Sequence, residues 1–346
     1  MKAAVYHGPK DIRVEEVDVR KPEKDEVCIK IKYCGVCGTD VHIYEGDSGA
    51  FAVKPPLIPG HEFAGVVEAV GEDVKHLKVG DKVSADPNIM CGKCYFCRSG
   101  MEHFCENVTG IGTTADGGFA QYTVMKASHA YKLPDHIDFM TAAMSEPMSC
   151  CIHGIDLCEI KQGNTVLVIG AGPIGVIMLQ LARIAGAAKI IVSEPVKEKR
   201  ALALKLGADL AIDPINEDIE NIISEYTKNV DCVIECAGSQ RTQEQAVQLA
   251  GKSARVMFFG LSSPETKINV KPDDIFKKEL TIKSSFINPY TFSRAIDILA
   301  SQRVDVKSII TNVVKLEDIE KVFKDPEMRR RGKAMISMEK SSENDG

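Results

Sequence analysis

The chain of 346 residues is long enough for two domains, and 44% hydrophobic and 27% charged residues are ordinary values for a globular protein. Its formal net charge of -6 argues against a nucleic-acid partner or an anionic membrane surface. We expect a cytoplasmic protein with no membrane partner, because no apolar run approaches the roughly 18 residues of a membrane span and the N-terminus lacks the apolar core of a signal peptide.

The first 85 or so residues are predicted to be rich in β-strands. Residues 26–33 alternate apolar and polar side chains, as a half-buried strand does. A second strand-like run lies between the glycines at 60 and 71, and a short third one spans 79–84. Several short strands separated by turns predict a small barrel or a partly open β-domain.

Within this β-rich part, residues 37–42 place a thiol, a hydroxyl and an imidazole close together. Cys37 could bind zinc as a thiolate. Thr39 could take a proton from an alcohol, and His42 could carry that proton outward because its ordinary pKa lies near neutrality. A turn with a buried cysteine and a surface histidine explains the same six residues, so this segment alone leaves both interpretations open.

Four of the twelve cysteines follow within fifteen residues, at Cys91, Cys94, Cys97 and Cys105. In a reducing compartment, clustered cysteines are more often metal ligands than disulfides. Four thiolates at this spacing favour a closed, tetrahedral structural zinc site, with an iron–sulfur cluster as the alternative. A filled site of this kind stabilises the fold and leaves no position for a substrate.

A second kind of pattern begins at residue 165. The continuous apolar run 165–169 is typical of a buried parallel strand, and 176–185 is predicted to be a helix. Between them lies G-x-G-x-x-G, with Gly170 permitting the turn, Gly172 the approach of a pyrophosphate, and Gly175 the packing of helix on strand. The glycine-rich segment 110–118 precedes a strand-like run rather than a helix, so it is not predicted to bind phosphate.

Glu194 follows the next predicted strand, 189–193, about twenty residues after the glycine motif. Its carboxylate can accept hydrogen bonds from an adenosine ribose and would repel a 2′-phosphate, which favours NAD over NADP. Lys197, Lys199 and Arg200 are nearby cations that weaken the exclusion of NADP.

Further β/α units at 231–235 and 254–260 complete a doubly wound domain. The segment 290–300 has helical periodicity and 333–338 is strand-like. We therefore predict an α/β protein with four parts. They are a β-rich domain at 1–149, a dinucleotide-binding domain at 150–284, a segment at 285–340 that completes the first domain, and a disordered tail at 341–346.

Four motifs in order now make the chain resemble the zinc-dependent medium-chain dehydrogenases, the superfamily of zinc alcohol dehydrogenases. They are residues 37–40, the triplet at 60–62, the four-cysteine loop and the glycine motif. The resemblance covers nearly the whole chain. It implies a GroES-like β-domain, a Rossmann domain, NAD and two zinc ions per chain, one catalytic and one structural, with the catalytic zinc in the cleft between the domains.

By this resemblance, Cys37 and His61 are ligands of the catalytic zinc. The third ligand is Glu146, which sorbitol and other polyol dehydrogenases have where liver-type enzymes have cysteine. Glu62 is a second carboxylate within reach, and which of the two acids binds directly stays open. Cys150 and Cys151 are rival ligands on spacing alone, although they miss the family position.

The resemblance also implies that zinc lowers the pKa of an alcohol, that Thr39 takes its proton, and that His42 passes the proton on by way of the NAD ribose. The residues assigned to the cofactor are Gly170, Gly172, Pro173, Ile174, Gly175, Glu194, Lys199, Gly260, Leu261 and Phe286. Family habit suggests a homotetramer, with a dimer as second choice.

The sequence indicates the substrate less clearly than it indicates the reaction. Residues 33–44 are similar to threonine, butanediol and polyol dehydrogenases alike, whereas 142–153 favours the polyol and sugar-alcohol branch, including polyol phosphates. Sorbitol dehydrogenases carry an arginine where this chain has Ile287, which argues against sorbitol itself. We expect oxidation of a secondary hydroxyl of a polyol, sugar alcohol or vicinal diol. Threonine 3-dehydrogenase or 2,3-butanediol dehydrogenase activity is the alternative, and a non-catalytic zinc- and nucleotide-binding protein is a remote one.

Overall fold

The computed structural model of the chain describes residues 1–47 and 52–339, so the predicted disordered tail lies outside the described residues. The chain divides into two compact units. Unit 1 contains Met1–Met148 and the residues from Phe292 onward, and unit 2 contains Ser149–Thr291. The sequence placed the second boundary at 284/285, and the assignment of roles to the domains stays a prediction. In the two described ranges, no helix has the length and apolar character needed to cross a membrane.

The elements of the first part of unit 1 are β1 (Lys2–Gly8), β2 (Asp11–Glu16), β3 (Glu26–Gly35), α1 (Gly38–Glu45), β4 (Glu62–Val70), β5 (Lys82–Ala85), β6 (Asn88–Ile89), α2 (Tyr95–Arg98), β7 (Thr109–Gly110), β8 (Tyr122–Lys126), β9 (Ala130–Lys132) and α3 (Phe139–Ala143). Helix α4 (Ser145–Cys158) contains the boundary between the two units. The elements of unit 2 that follow it are β10 (Thr165–Ile169), α5 (Pro173–Ala185), β11 (Lys189–Ser193), α6 (Lys197–Lys205), β12 (Leu210–Ile212), α7 (Ile219–Tyr226), β13 (Cys232–Glu235), α8 (Gln240–Leu249), β14 (Arg255–Phe258), α9 (Pro272–Lys278) and β15 (Thr281–Ser284). The chain then returns to unit 1 with α10 (Phe292–Ala300), β16 (Ile310–Lys315), α11 (Ile319–Lys324), α12 (Glu327–Arg330) and β17 (Lys333–Ser337).

The main sheet of unit 1 runs in the order β16, β17, β3, β4, β5, β9, and β8 pairs with β3. A strand forms at the predicted place, but the predicted alternation holds only in part, because residues 26–29 are all buried and only Lys30 is exposed. The C-terminal segment completes this sheet, because β17 lies between β16 and β3. Phe323 of α11 joins the same core, where each large buried side chain contributes about 1.5–3 kcal/mol.

Unit 2 contains a parallel sheet in the order β12, β11, β10, β13, β14, β15. Chain order reverses between β10 and β13, which defines the doubly wound α/β fold and its ligand-binding edge. Strands β10 and β11 have the predicted bounds, and all five residues of β10 are buried. Helix α5 begins at Pro173, earlier than the predicted Val176, since proline suits the first helical position where its missing N–H costs nothing.

Candidate active site: two metal centres and a nucleotide turn

The four-cysteine loop brings its sulfur atoms together. The Sγ atoms of Cys91, Cys94, Cys97 and Cys105 all lie within 4.8 Å of one another. Cys94 caps the short helix α2, which carries Cys97, so one turn of helix sets the spacing of two of the four sulfurs. The backbone N–H groups of Cys91 and Asn107 donate to Cys105 Sγ at 3.3 and 3.4 Å.

The four cysteine side chains of this cluster can all be ionised only if a cation lies among them. The backbone N–H of Lys93 lowers the pKa of Cys91 to about 6, whereas burial raises the pKa of Cys97 to about 12. Four close sulfurs cannot all ionise without a positive charge among them, because each thiolate opposes the next. The donor set therefore fits a closed zinc site, as the sequence predicted.

A second donor set contains Cys37, His61 and Glu62, whose ligand atoms also lie within 4.8 Å of one another. Cys37 follows β3 and caps α1, while His61 and Glu62 stand at the start of β4. Antiparallel pairing of the two strands sets Gly35 opposite Glu62, and this register brings residues distant in sequence to one place.

Asp40 fixes the orientation of two members of this set. Its Oδ2 accepts a hydrogen bond from Cys37 N at 2.8 Å, and its Oδ1 lies 3.4 Å from His61 Nδ1. Burial lowers the pKa of His61, but the charges of Asp40 and Cys37 outweigh it and raise that pKa well above its usual value. A half-buried thiol with a buried imidazole and a buried carboxylate, held by a further carboxylate, fits a zinc ion, which would compete with a proton for the imidazole.

Thr39 and His42 both lie on α1, the helix that begins beside this set. Cys37 Sγ donates to Thr39 Oγ1 at 3.8 Å, so the hydroxyl lies next to a candidate ligand. The side chain of His42 is 38% exposed, and its Nδ1 lies 3.5 Å from Asp47 Oδ2 at the surface. One helix therefore presents a hydroxyl at the donor set and an imidazole at solvent, which is the arrangement that proton transfer would need.

Glu146 lies in the first turn of α4, and its side chain is buried. Among the described residues it does not belong to the donor set formed by Cys37, His61 and Glu62. Its negative charge nevertheless helps to raise the pKa of Lys333, which lies beside that set. Direct ligation by Glu146 stays a prediction, and so do the rival roles of the two cysteines that follow it in α4.

Lys333 is a residue of this site that sequence reasoning missed. It begins β17, and its Nζ lies 2.5 Å from Glu62 Oε1. Burial lowers the pKa of Lys333, but the charges of Glu62 and Cys37 outweigh it and raise the pKa above its ordinary value. The lysine precedes three consecutive apolar residues in β17, and nothing in its local sequence separates it from a surface lysine.

In unit 2 the glycine motif forms the turn between β10 and α5. Gly170 has a φ of +93°, and a Cβ on Gly175 would lie 1.9 Å from Gly170 O, so neither position accepts a side chain. A Cβ on Gly172 would meet no atom within 4 Å, which leaves open space at the N-terminus of α5. Pro173 and Ile174 form the first turn of that helix. Backbone N–H groups at such an end can bind a pyrophosphate.

Glu194 ends β11 beside this turn. Its Oε1 accepts from Val196 N at 2.9 Å. Arg200 Nη1 donates to the carbonyl oxygen of Glu194 at 2.7 Å, and its Nη2 lies 3.1 Å from Asp213 Oδ2. The Arg200 cation is thus engaged with an acid of the chain, whereas Lys199 lies half-buried on α6.

The remaining cofactor predictions fall on loops of unit 2. A Cβ on Gly260 would lie 2.3 Å from Gly238 N, and Leu261 and Phe286 are exposed. Glu235, another residue that sequence reasoning missed, connects these loops. Its Oε1 accepts from the amides of Ala237 and Gly238 at 2.7 and 2.8 Å, and its carbonyl oxygen accepts from those of residues 259 and 260 at 2.9 Å.

Comparison with known proteins adds two family matches. The alcohol dehydrogenase GroES-like domain matches residues 23–135, and the zinc-binding dehydrogenase family matches residues 173–301. The first match covers most of the β-rich part of unit 1, and the second covers most of the doubly wound unit.

Individual relatives cover nearly all of the chain. D-arabinitol dehydrogenase 1 of Uromyces fabae is 33% identical over 328 residues, 93% of each protein. L-threonine 3-dehydrogenase of Pyrococcus abyssi is 38% identical over 326 residues, 92% of each protein. A zinc-binding dehydrogenase of Sinorhizobium meliloti, crystallised with NADP, is 35% identical with a TM-score of 0.93 and covers 97% of this chain and 98% of its own.

Proposed function

Because the chain belongs to the polyol branch of the zinc-dependent medium-chain dehydrogenases, which oxidise CH–OH groups, we propose that it oxidises a secondary hydroxyl of a polyol, sugar alcohol or vicinal diol with NAD. The observation that carries the proposal is the set of Cys37, His61 and Glu62, within 4.8 Å of one another, with Thr39 beside it. A protein that only binds a nucleotide does not require three metal-ligating side chains and a hydroxyl at one place.

In this proposal Cys37 and His61 hold the zinc with a carboxylate from Glu62 or Glu146. Zinc bound there would lower the pKa of a substrate hydroxyl by withdrawing charge from its oxygen. Asp40 keeps the His61 ring oriented and the Cys37 backbone in place. The chain's own residues thus provide a preformed and largely buried place for one hydroxyl group.

Proton removal is assigned to α1. Thr39 Oγ1 accepts the hydroxyl proton, and His42, whose side chain is 38% exposed, releases it to solvent. The ribose of the cofactor links the two residues in the mechanism that the resemblance implies. A bound NAD would supply the hydride acceptor, and the glycine turn and Glu194 are the residues that would hold the adenosine half of the dinucleotide.

NAD is the proposed cofactor, although one relative of known structure carries NADP. Support comes from Glu194, a buried carboxylate at the end of β11, which favours a free ribose over a 2′-phosphate. Arg200, one of the three nearby cations, has its Nη2 3.1 Å from Asp213 Oδ2 and is therefore partly neutralised.

A homo-oligomer, with a tetramer ahead of a dimer, is part of the proposal. Strand β15 lies at the edge of the unit 2 sheet, and most of its side chains are exposed. An open edge strand presents unpaired N–H and C=O groups to another chain. Size-exclusion chromatography with light scattering gives the oligomeric state directly.

The test is a substrate screen on zinc-replete protein with NAD and with NADP. The alcohols are polyols, polyol phosphates, both 2,3-butanediol enantiomers and L-threonine, and zinc per chain is counted in parallel. Reduction of NAD by a polyol or diol supports the proposal. Activity confined to L-threonine would establish the second candidate, which the 38% identical relative favours. Absence of reduction with every alcohol would overturn both.

A further inference from the structure

The glycine-rich segment 110–118, which begins in β7 and ends before β8, packs against the backbone that leads into His61. The three consecutive carbonyl groups in front of His61 accept hydrogen bonds from the end of this segment and the residue after it. The bonds are Gly117 N to Ile58 O at 2.7 Å, Phe119 N to Pro59 O at 2.9 Å and Gly118 N to Gly60 O at 2.7 Å. The backbone before His61 is therefore held by residues more than fifty positions later in the chain.

The main sheet of unit 1 does not reach His61. Strand β4 begins at Glu62, which pairs with Gly35 of β3, so His61 lies one residue outside the ladder. The His61 ring is oriented by Asp40, whose Oδ1 lies 3.4 Å from Nδ1. The backbone of His61 takes its place from Gly60, and Gly60 takes its place from the glycine-rich segment.

Glycine at position 117 allows the two stretches of backbone to approach this closely. A Cβ on Gly117 would lie 2.2 Å from Gly60 O and 2.4 Å from Gly112 Cα. Gly112 is under the same restriction, since its Cβ would lie 2.3 Å from Gly60 O. These neighbours are backbone atoms, so no rotation of a side chain can relieve the contact. A side chain at position 117 must therefore displace the carbonyl group next to His61.

Asp116 adds a contact that does not depend on close packing. Its Oδ1 accepts a hydrogen bond from Ile58 N at 3.0 Å, and the residue is exposed. Removal of this carboxylate loosens the same stretch of backbone without leaving a cavity in the core.

We propose that the glycine-rich segment positions His61 for the catalytic zinc, and that Gly117 and Asp116 are its positioning residues. The inference rests on the proposed function, since it takes zinc to bind at Cys37 and His61. Groups that orient a metal ligand typically change metal affinity by about 10- to 100-fold when they are substituted. The segment acts through the Gly60 carbonyl, so it sets the geometry of the site and takes no part in the chemistry.

The first experiment compares Gly117→Ala with Gly71→Ala, both prepared with zinc bound. Gly71 follows the other end of β4, and its Cβ would lie 2.0 Å from Glu23 O, so the control introduces a similar backbone clash within unit 1. Neither glycine has a positive φ. We expect Gly117→Ala to hold the catalytic zinc about tenfold less tightly than the wild type against a chelator at fixed pH. Gly71→Ala should match the wild type in zinc retention even if both variants lose stability.

The visible spectrum of cobalt bound at the catalytic site gives a second readout of the same pair. These bands depend on the geometry of the ligands, so they should shift in Gly117→Ala and stay unchanged in Gly71→Ala. A loss of stability alone would not move them.

Substitutions of Asp116 test the hydrogen bond separately. Asp116→Ala removes the acceptor of Ile58 N, whereas Asp116→Asn keeps an oxygen there. We expect Asp116→Ala to weaken retention of the catalytic zinc about threefold and Asp116→Asn to restore it. Because the side chain is exposed, this pair decides the question should Gly117→Ala fail to fold.

Equal zinc retention in Gly117→Ala and Gly71→Ala would overturn the inference. So would an Asp116→Ala variant that retains zinc like the wild type, or a loss that Asp116→Asn does not reverse, since the charge of Asp116 would then be responsible. A wild-type chain that binds only one zinc overturns both the inference and the proposed function. Two zinc ions that none of these variants affects overturn the inference alone.

Discussion

The carboxylate of Glu194 accepts a hydrogen bond from the backbone amide of Ala171, with 2.7 Å between Oε2 and N. Ala171 lies inside the glycine turn, and Glu194 ends the neighbouring strand β11. The acid and the turn therefore hold each other in the region where the adenosine ribose and the pyrophosphate of a dinucleotide bind in this fold. Cofactor preference should depend on the charge of this one side chain.

Glu194→Gln is expected to raise the ratio of kcat/KM for NADP to that for NAD by about tenfold, because it removes the charge that repels a 2′-phosphate and keeps an oxygen for Ala171 N. The measurement is steady-state kinetics with both cofactors. Glu198→Gln removes an exposed acid from the first turn of α6 and serves as the matched control. An equal change of the ratio in both variants would show that Glu194 has no special role.

Cys97→Ser should reduce zinc from two ions per chain to one and lower the unfolding midpoint by about 5 °C or more, because the four-cysteine loop loses the cation that holds its sulfurs together. Zinc is counted by mass spectrometry of the native protein, and unfolding is followed by calorimetry. Cys150→Ser is the control, since Cys150 is a rival ligand on spacing alone and should leave both zinc ions in place. Loss of zinc from Cys150→Ser instead would assign that thiol to the catalytic metal.

Two central strands of unit 2 were predicted with the bounds that the structure gives them, because each is specified by its own residues. Thr165–Ile169 and Lys189–Ser193 are short apolar runs, and burial on both faces of a parallel sheet requires such runs. The start of α5 was predicted too late, since the apolar pattern begins at Val176 whereas Pro173 opens the helix. Capping residues decide a helix boundary, and hydrophobic periodicity does not show them.

The two candidate metal sites also differ in how far the sequence could predict them. The four cysteines are close in sequence, so their spacing alone predicted a cluster. Lys333 and Glu62 are 271 residues apart, and their contact depends on a third strand with glycine at position 35. A single sequence carries no signal for such a pair. The role of the Glu235 carboxylate was missed for a related reason. The residue pattern of a strand does not show whether the side chain of its last residue accepts hydrogen bonds from the loop that follows the strand.

Thr39→Val should lower kcat by about a hundredfold while both zinc ions remain bound, because valine has the shape of threonine without the hydroxyl that accepts the proton. Thr39→Ser keeps a hydroxyl and should retain most of the activity. The measurements are kcat with the preferred alcohol, the solvent isotope effect and zinc content. Equal losses in the valine and serine variants would indicate a packing role for Thr39 and remove it from the proposed proton path.

Glu235 should make the chain less stable as pH rises above 4.5. Burial raises the pKa of this carboxyl above its ordinary 4.5, in spite of the hydrogen bonds that favour its ionised form. The folded chain therefore binds the proton more tightly than the unfolded chain does. The stabilisation from this proton is complete below pH 4.5 and is lost as pH rises through the pKa of the folded state.

Denaturant unfolding of the wild type and Glu235→Gln in parallel, from pH 4.5 to 8, isolates this contribution, since the glutamine cannot titrate. The free energy of unfolding of the wild type relative to this variant should fall with rising pH, whatever constant offset the substitution adds. Glu244→Gln is the control of opposite sign, because hydrogen bonds from Gln240 and Asn269 lower the pKa of Glu244. Relative to that variant the wild type should not lose stability over the same range. A flat difference for Glu235→Gln would mean that the buried carboxyl keeps its ordinary pKa, and its hydrogen bonds to the loops after β13 would then fully compensate its burial.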